Sequence, residues 1–149
     1  MTRVLVTGCE QSGTGAVATV LREAGADVVH LAVPHVHDWS AWRSQLRTVD
    51  RAVVVVRGLL AHAVSLTERS GELKASGARP LQHRRKAFYS LSFVPFALDP
   101  LWVTYESLAE PLEVRFLCEA LGLDPGRVRS PIQNRNLARY AALAEGAST

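Results

Sequence analysis

The 149-residue chain has little cysteine, little lysine and no long apolar run. Two cysteines, Cys9 and Cys118, make no disulfide framework and lack the spacing of metal ligands. No apolar run approaches the roughly 20 residues that cross a bilayer. The chain enters a strand-like segment at once, without the basic region and apolar stretch of a secretory leader. These absences lead to the expectation of a soluble, cytoplasmic protein with neither a metal nor a membrane partner. The basic residues are nearly all arginine, with Lys74 and Lys86 the exceptions. Arginine's planar fork suits phosphate and sulfate. A net charge of +3, spread along the chain, does not make nucleic acid the default partner. There is no internal repeat and no low-complexity tract.

Hydrophobic residues make up 48% of the chain, enough for a core, and the length suits one domain over 1–149. Arg3 to Thr7 reads as a short buried strand, followed by a glycine-rich turn. Ala16, Val17, Val20, Leu21 and Ala24 recur at helical spacing, and Gly25 closes that helix. Asp27 to Leu31 reads as a second strand, and a short helix runs from about Trp39 to Leu46. Asp50 to Val56 contains four consecutive valines, a run without alternation that suggests burial on both faces of a parallel sheet. A helix is expected from about Leu59 to Arg69, a polar loop from Gly71 to Pro80, and a possible helix from His83 to Leu91. Leu101 to Thr104 reads as a fourth strand. Pro111 opens a helix with Val114, Leu117, Cys118 and Leu121 on its apolar face, and Gly122 ends it. A last helix fits Asn136 to Ala144. Strands alternating with helices imply a three-layer α/β/α fold with a central parallel sheet, like that of P-loop nucleotide hydrolases.

The segment Gly8-Cys9-Glu10-Gln11-Ser12-Gly13-Thr14-Gly15 runs from a strand to a helix. Glycines let backbone N–H groups turn inward, and the helix start adds unpaired N–H groups and the positive end of a dipole. Ser12 and Thr14 add hydroxyls. A Walker A loop needs Gly, four residues, Gly, Lys and then Ser or Thr. Gly8 and Gly13 have that separation, but Thr14 stands in the lysine's place and Gly15 in the hydroxyl's. Ordinary ATP or GTP hydrolysis does not fit. Cys9 lies inside this segment, where a nearby helix start would lower a thiol's pKa.

Ser12-Gly13-Thr14 resembles the end of the phosphosulfate-binding loop of sulfotransferases, which use 3'-phosphoadenosine 5'-phosphosulfate (PAPS) and release 3'-phosphoadenosine 5'-phosphate (PAP). Gln11 occupies the place of that loop's basic residue and can donate hydrogen bonds there without charge. Val53-Val54-Val55-Val56-Arg57, followed by Ser65, is similar to the family's 3'-phosphate motif, in which a strand delivers an arginine and the next helix a serine. Gly58 and Leu59 replace the residues usual after the arginine. Tyr105-Glu106-Ser107-Leu108, then Pro111 and Leu121-Gly122-Leu123, resembles a Tyr-Glu-Asp-Leu strand end and its following helix, with Ser107 in place of aspartate. That segment is expected to be structural, with Glu106 bonding to backbone or to a basic residue at the sheet's end.

The resemblance implies PAPS as cosubstrate, no metal, and a small-molecule or glycan acceptor with a hydroxyl or amine. The cofactor would lie on Gly8 to Gly15, Arg57 and Ser65. The loop after the second strand is where the family often places a base, so His35 is the first candidate, with His37 and Asp38 behind it. His83-Arg84-Arg85-Lys86 could supply the charge that Gln11 lacks, although a solvated helix face explains the cluster equally well. Arg135 and Arg139 are further phosphate candidates. Trp39, Trp42, Phe88 and Phe93 suit a pocket lining or the core. Two other functions are compatible with the same residues: a PAP- or nucleotide-binding protein without catalysis, and a kinase with an altered P-loop.

Overall fold

A computed structural model of the chain describes residues 1–9, 12–33, 39–58, 62 and 98–133. Among these residues four strands form one sheet: β1 (Arg3–Cys9), β2 (Asp27–Val33), β3 (Arg51–Val56) and β4 (Leu101–Thr104). Their order is β2-β1-β3-β4, and every pairing is parallel. Helices among the described residues are α1 (Thr14–Glu23), α2 (Trp39–Leu46) and α3 (Pro111–Ala120). Short 3-10 turns span Ser107–Ala109 and Pro125–Arg127.

The run of valines explains the centre of the sheet. β-Branched side chains fit a pleated surface, and a parallel sheet buries both of its faces. On one face Val4, Val6, Val53 and Val55 meet Val17, Val20 and Leu21 of α1 and Leu117 and Cys118 of α3. On the other, Leu5, Cys9, Ala52 and Val54 meet Leu46, Val49 and Leu98. Each fully buried valine or leucine contributes about 1.5–3 kcal/mol relative to exposure. The fold is therefore α/β, with an apolar core on each side of a parallel sheet. Among the described residues, no helix is long and apolar enough to cross a membrane.

β1 runs two residues further than the sequence suggests, and so does β2. Gly8 pairs with Ala32 and Cys9 with Val33. The glycine does not end the strand, because neighbours on both sides hold its backbone in the ladder. This corrects the placement of Cys9, whose side chain is buried against the second core and does not line a loop. The fourth strand and the helix that Pro111 opens lie where expected.

The amino ends of the strands are fastened by local polar contacts. Arg3 N–H donates to Asp50 Oδ2 at 2.8 Å, and Asp50 N–H donates to the Arg3 carbonyl at 2.8 Å. The Arg3 guanidinium pairs with Asp27 at 3.3 Å, and Arg51 pairs with Asp99 at 3.0 Å. At the end of α1, Glu23 accepts from Arg129 N–H at 2.7 Å, Ser130 N–H at 2.8 Å and Ser130 Oγ–H at 2.5 Å. These bonds hold its carboxyl below the usual range, with the Ser130 hydroxyl the largest cause.

Candidate functional site

The carboxyl ends of β1 and β3 lie side by side, and the glycine segment leaves from the first of them. Ligands of open α/β sheets bind at these ends. Gly8 sits where no side chain fits. A Cβ there would come within 2.4 Å of the Val55 carbonyl oxygen and 2.8 Å of Ser12 Oγ. Ser12 then folds back on β1, its N–H donating to the Cys9 carbonyl at 3.1 Å and its hydroxyl to the same oxygen at 2.5 Å. Its single proton is thereby committed to the backbone, and Ser12 is buried.

Gly13 caps α1 with φ at +92°. That left-handed conformation disfavours any residue with a Cβ. Space forbids one as well, since a Cβ at Gly13 would fall 2.0 Å from the ring of Tyr105. Among the described residues no side chain caps the helix, and its first turn carries no acidic residue. Among the same described residues, no carboxylate competes for the first-turn N–H groups and the positive end of the dipole.

Thr14 opens α1, and its Oγ1 lies 2.8 Å from Nε2 of His30 on β2. Gly15 leaves room beside the same imidazole, for a Cβ there would be 3.8 Å from His30 Cε1. Partial burial lowers the His30 pKa, and the positive charge of Arg22 adds to the effect.

Arg57 follows β3 directly, and its guanidinium lies 5.1 Å from the centre of the Tyr105 ring. This is cation–π distance. Tyr105 thus stands between the Gly13 turn and Arg57. Its position is fixed at both ends: its N–H donates to the Val56 carbonyl at 2.7 Å, and its hydroxyl to the Gln133 carbonyl at 2.8 Å. Glu106 accepts from Gly58 N–H at 2.7 Å, the backbone contact expected of it, and so holds the chain just after Arg57. One turn further, the buried His62 donates its backbone N–H to the Gly58 carbonyl at 2.9 Å.

Of the candidate ligand residues, Gly8, Ser12, Gly13, Thr14, Gly15 and Arg57 therefore meet at one end of the sheet, joined through Tyr105. Glu10, Gln11, His35, His37, Asp38 and Ser65 lie outside the described residues. So do the 83–86 cluster, Phe88, Phe93, Arg135 and Arg139, together with the helices expected at 83–91 and 136–144, the 71–80 loop and all but His62 of the helix expected at 59–69. Trp39 and Trp42 belong to α2. Sequence reading missed two members of the site, His30 and Tyr105. A histidine in the middle of a mostly apolar strand, on the face that receives the start of α1, was the available signal for the first.

The fold and site define an α/β protein with a glycine turn and an arginine at neighbouring strand ends. Comparison with protein-family models, with curated proteins and with solved structures returns no match. The functional reading therefore rests on the residues themselves.

Proposed function

We propose that the chain is a P-loop-like, PAPS-dependent sulfotransferase of the cytoplasm, acting on the hydroxyl or amine of a small-molecule or glycan acceptor. The observation that carries this reading is the position of Arg57 at the strand end beside the glycine turn, with Tyr105 between them. The residues suit the cofactor. Gly8 and Gly13 leave backbone where side chains would stand, and no side chain among the described residues caps the first turn of α1. In this reading the 5'-phosphosulfate lies on that turn, and Arg57 takes the 3'-phosphate by charge-assisted hydrogen bonds. Bound PAPS supplies the sulfuryl group, which passes to the acceptor's oxygen or nitrogen with PAP as the leaving group. Gln11 would donate to the phosphosulfate, Ser65 to the 3'-phosphate, and His35 or His37 would take the acceptor's proton.

A non-catalytic PAP-binding protein is the second reading, favoured by Gln11 in the place of a cation. A kinase is weaker, because Thr14 replaces the lysine and its hydroxyl faces His30.

Calorimetry with PAP, with ATP plus magnesium and with AMP tests the reading. PAP is expected to bind best, and Arg57→Ala to lose about 1.5–3 kcal/mol, a tenfold to hundredfold weakening. Stronger binding of ATP with magnesium would reject the sulfotransferase. Transfer of labelled sulfate from PAPS to any acceptor separates the enzyme from the binder.

A further inference from the structure

We propose that His30 is a positioning residue of the glycine turn: its Nε2–H donates to Thr14 Oγ1 and so turns the Thr14 hydroxyl proton toward an anion seated on the first turn of α1. This deepens the phosphate-binding reading above and rests on it. The two atoms are 2.8 Å apart, so one group gives the proton and the other accepts it. A hydroxyl has one proton and two lone pairs, and a neutral imidazole has one N–H. If Thr14 gave its proton to His30, its oxygen would meet an anion with lone pairs alone. If His30 gives, Thr14 keeps a proton for the anion. A bound anion therefore selects the second arrangement.

The surroundings allow His30 to respond to the ligand. From α1 the charge acting on it is Arg22. β1 places Val6 opposite, with Arg3 tied to Asp27 at the far end of the strand pair and Cys9 buried on the other face. On β2 itself, Asp27 is the ionisable neighbour and is held in that pair. Among the described residues, no carboxylate competes with an anion for the imidazole's proton. Both the Nε2–H neutral form and the imidazolium donate to Thr14, so anion binding favours these forms over the Nδ1–H tautomer.

The test titrates the full chain with PAP and, separately, with inorganic pyrophosphate, which carries no adenosine. Thr14→Val and His30→Leu are each expected to weaken binding about tenfold. His30→Gln, whose amide can donate from a similar position, should stay within about threefold of wild type. The Thr14→Val/His30→Leu double variant should bind no worse than the weaker single one, because both remove the same donor. In the bound protein, nitrogen-15 NMR should find His30 Nε2 protonated, a readout that a purely structural contact would not move. An unprotonated Nε2 in the complex, or fully additive losses, overturns the proposal. If PAP fails but pyrophosphate binds with this pattern, the sulfotransferase reading falls and the role of His30 stands. If PAP binds equally to wild type and His30→Leu, the role of His30 falls alone. If neither ligand binds, both fall.

Discussion

The two ends of the sheet are built from different materials. The amino ends are fastened by charge: Arg3 with Asp27 and Asp50, Arg51 with Asp99, and Glu23 with the 129–130 backbone. The carboxyl ends are shaped by missing side chains, at Gly8 and Gly13, and by one aromatic ring pressed between a turn and a guanidinium. Charges at the amino end satisfy one another. At the other end the first turn of α1 carries no acidic residue, and the neighbouring acid, Glu106, is engaged by the backbone of Gly58. The difference assigns holding the fold to one end and, in the proposed reading, recognition to the other.

The comparison breaks most sharply at Gly13. Gly13→Ala forces a left-handed residue against the Tyr105 ring, and a loss of about 2–4 kcal/mol is expected in urea denaturation. A second change, Tyr105→Ala, should return part of that loss in the double variant, because the collision is with the ring. At the amino end, Asp50→Ala removes the acceptor for Arg3 N–H. It should cost about 1 kcal/mol and leave PAP affinity unchanged. A change in affinity would show that the two ends are not independent.

The smallest effect is expected of Glu23→Gln, and it depends on pH. The Glu23 carboxyl is held below its ordinary value of 4.5 by the Ser130 hydroxyl first and then by the 129 and 130 N–H groups. A depressed carboxyl contributes stability above its unfolded value and loses it as pH falls through the folded one. The melting-temperature gap between wild type and Glu23→Gln should therefore be open at neutral pH, narrow below about 4.5 and close in stronger acid. A gap that stays constant across that range would contradict the assignment.

β3 was legible because burial on both faces leaves an unbroken apolar run, Val53 to Val56. The end of α1 was legible because Gly25 takes a positive φ just past it. The full length of β1 was not, since a glycine ordinarily marks a turn and pairing on both sides cannot be read locally. At the site, Arg57 was visible as a cation at a strand end, and Glu106 as a group bonding there to backbone or to a basic residue, of which the structure shows the backbone contact. Tyr105 was not, because its role depends on β4 docking beside β3, far from Gly13 in sequence. Nor was the inward hydrogen bond of Ser12, for a hydroxyl beside glycines reads equally well as a ligand donor or as a turn lock.

The ring of Tyr105 against Gly13 also orders the paths by which such a sequence can change. A side chain at position 13 is barred by packing alone, whether or not any anion is bound. Descendants of this chain could acquire one only after position 105 had become smaller, and even then only in a residue that tolerates a left-handed backbone. Two positions remote in the chain are thus bound to a sequence of events, and glycine at 13 is inherited as a debt to its tyrosine as much as to a ligand.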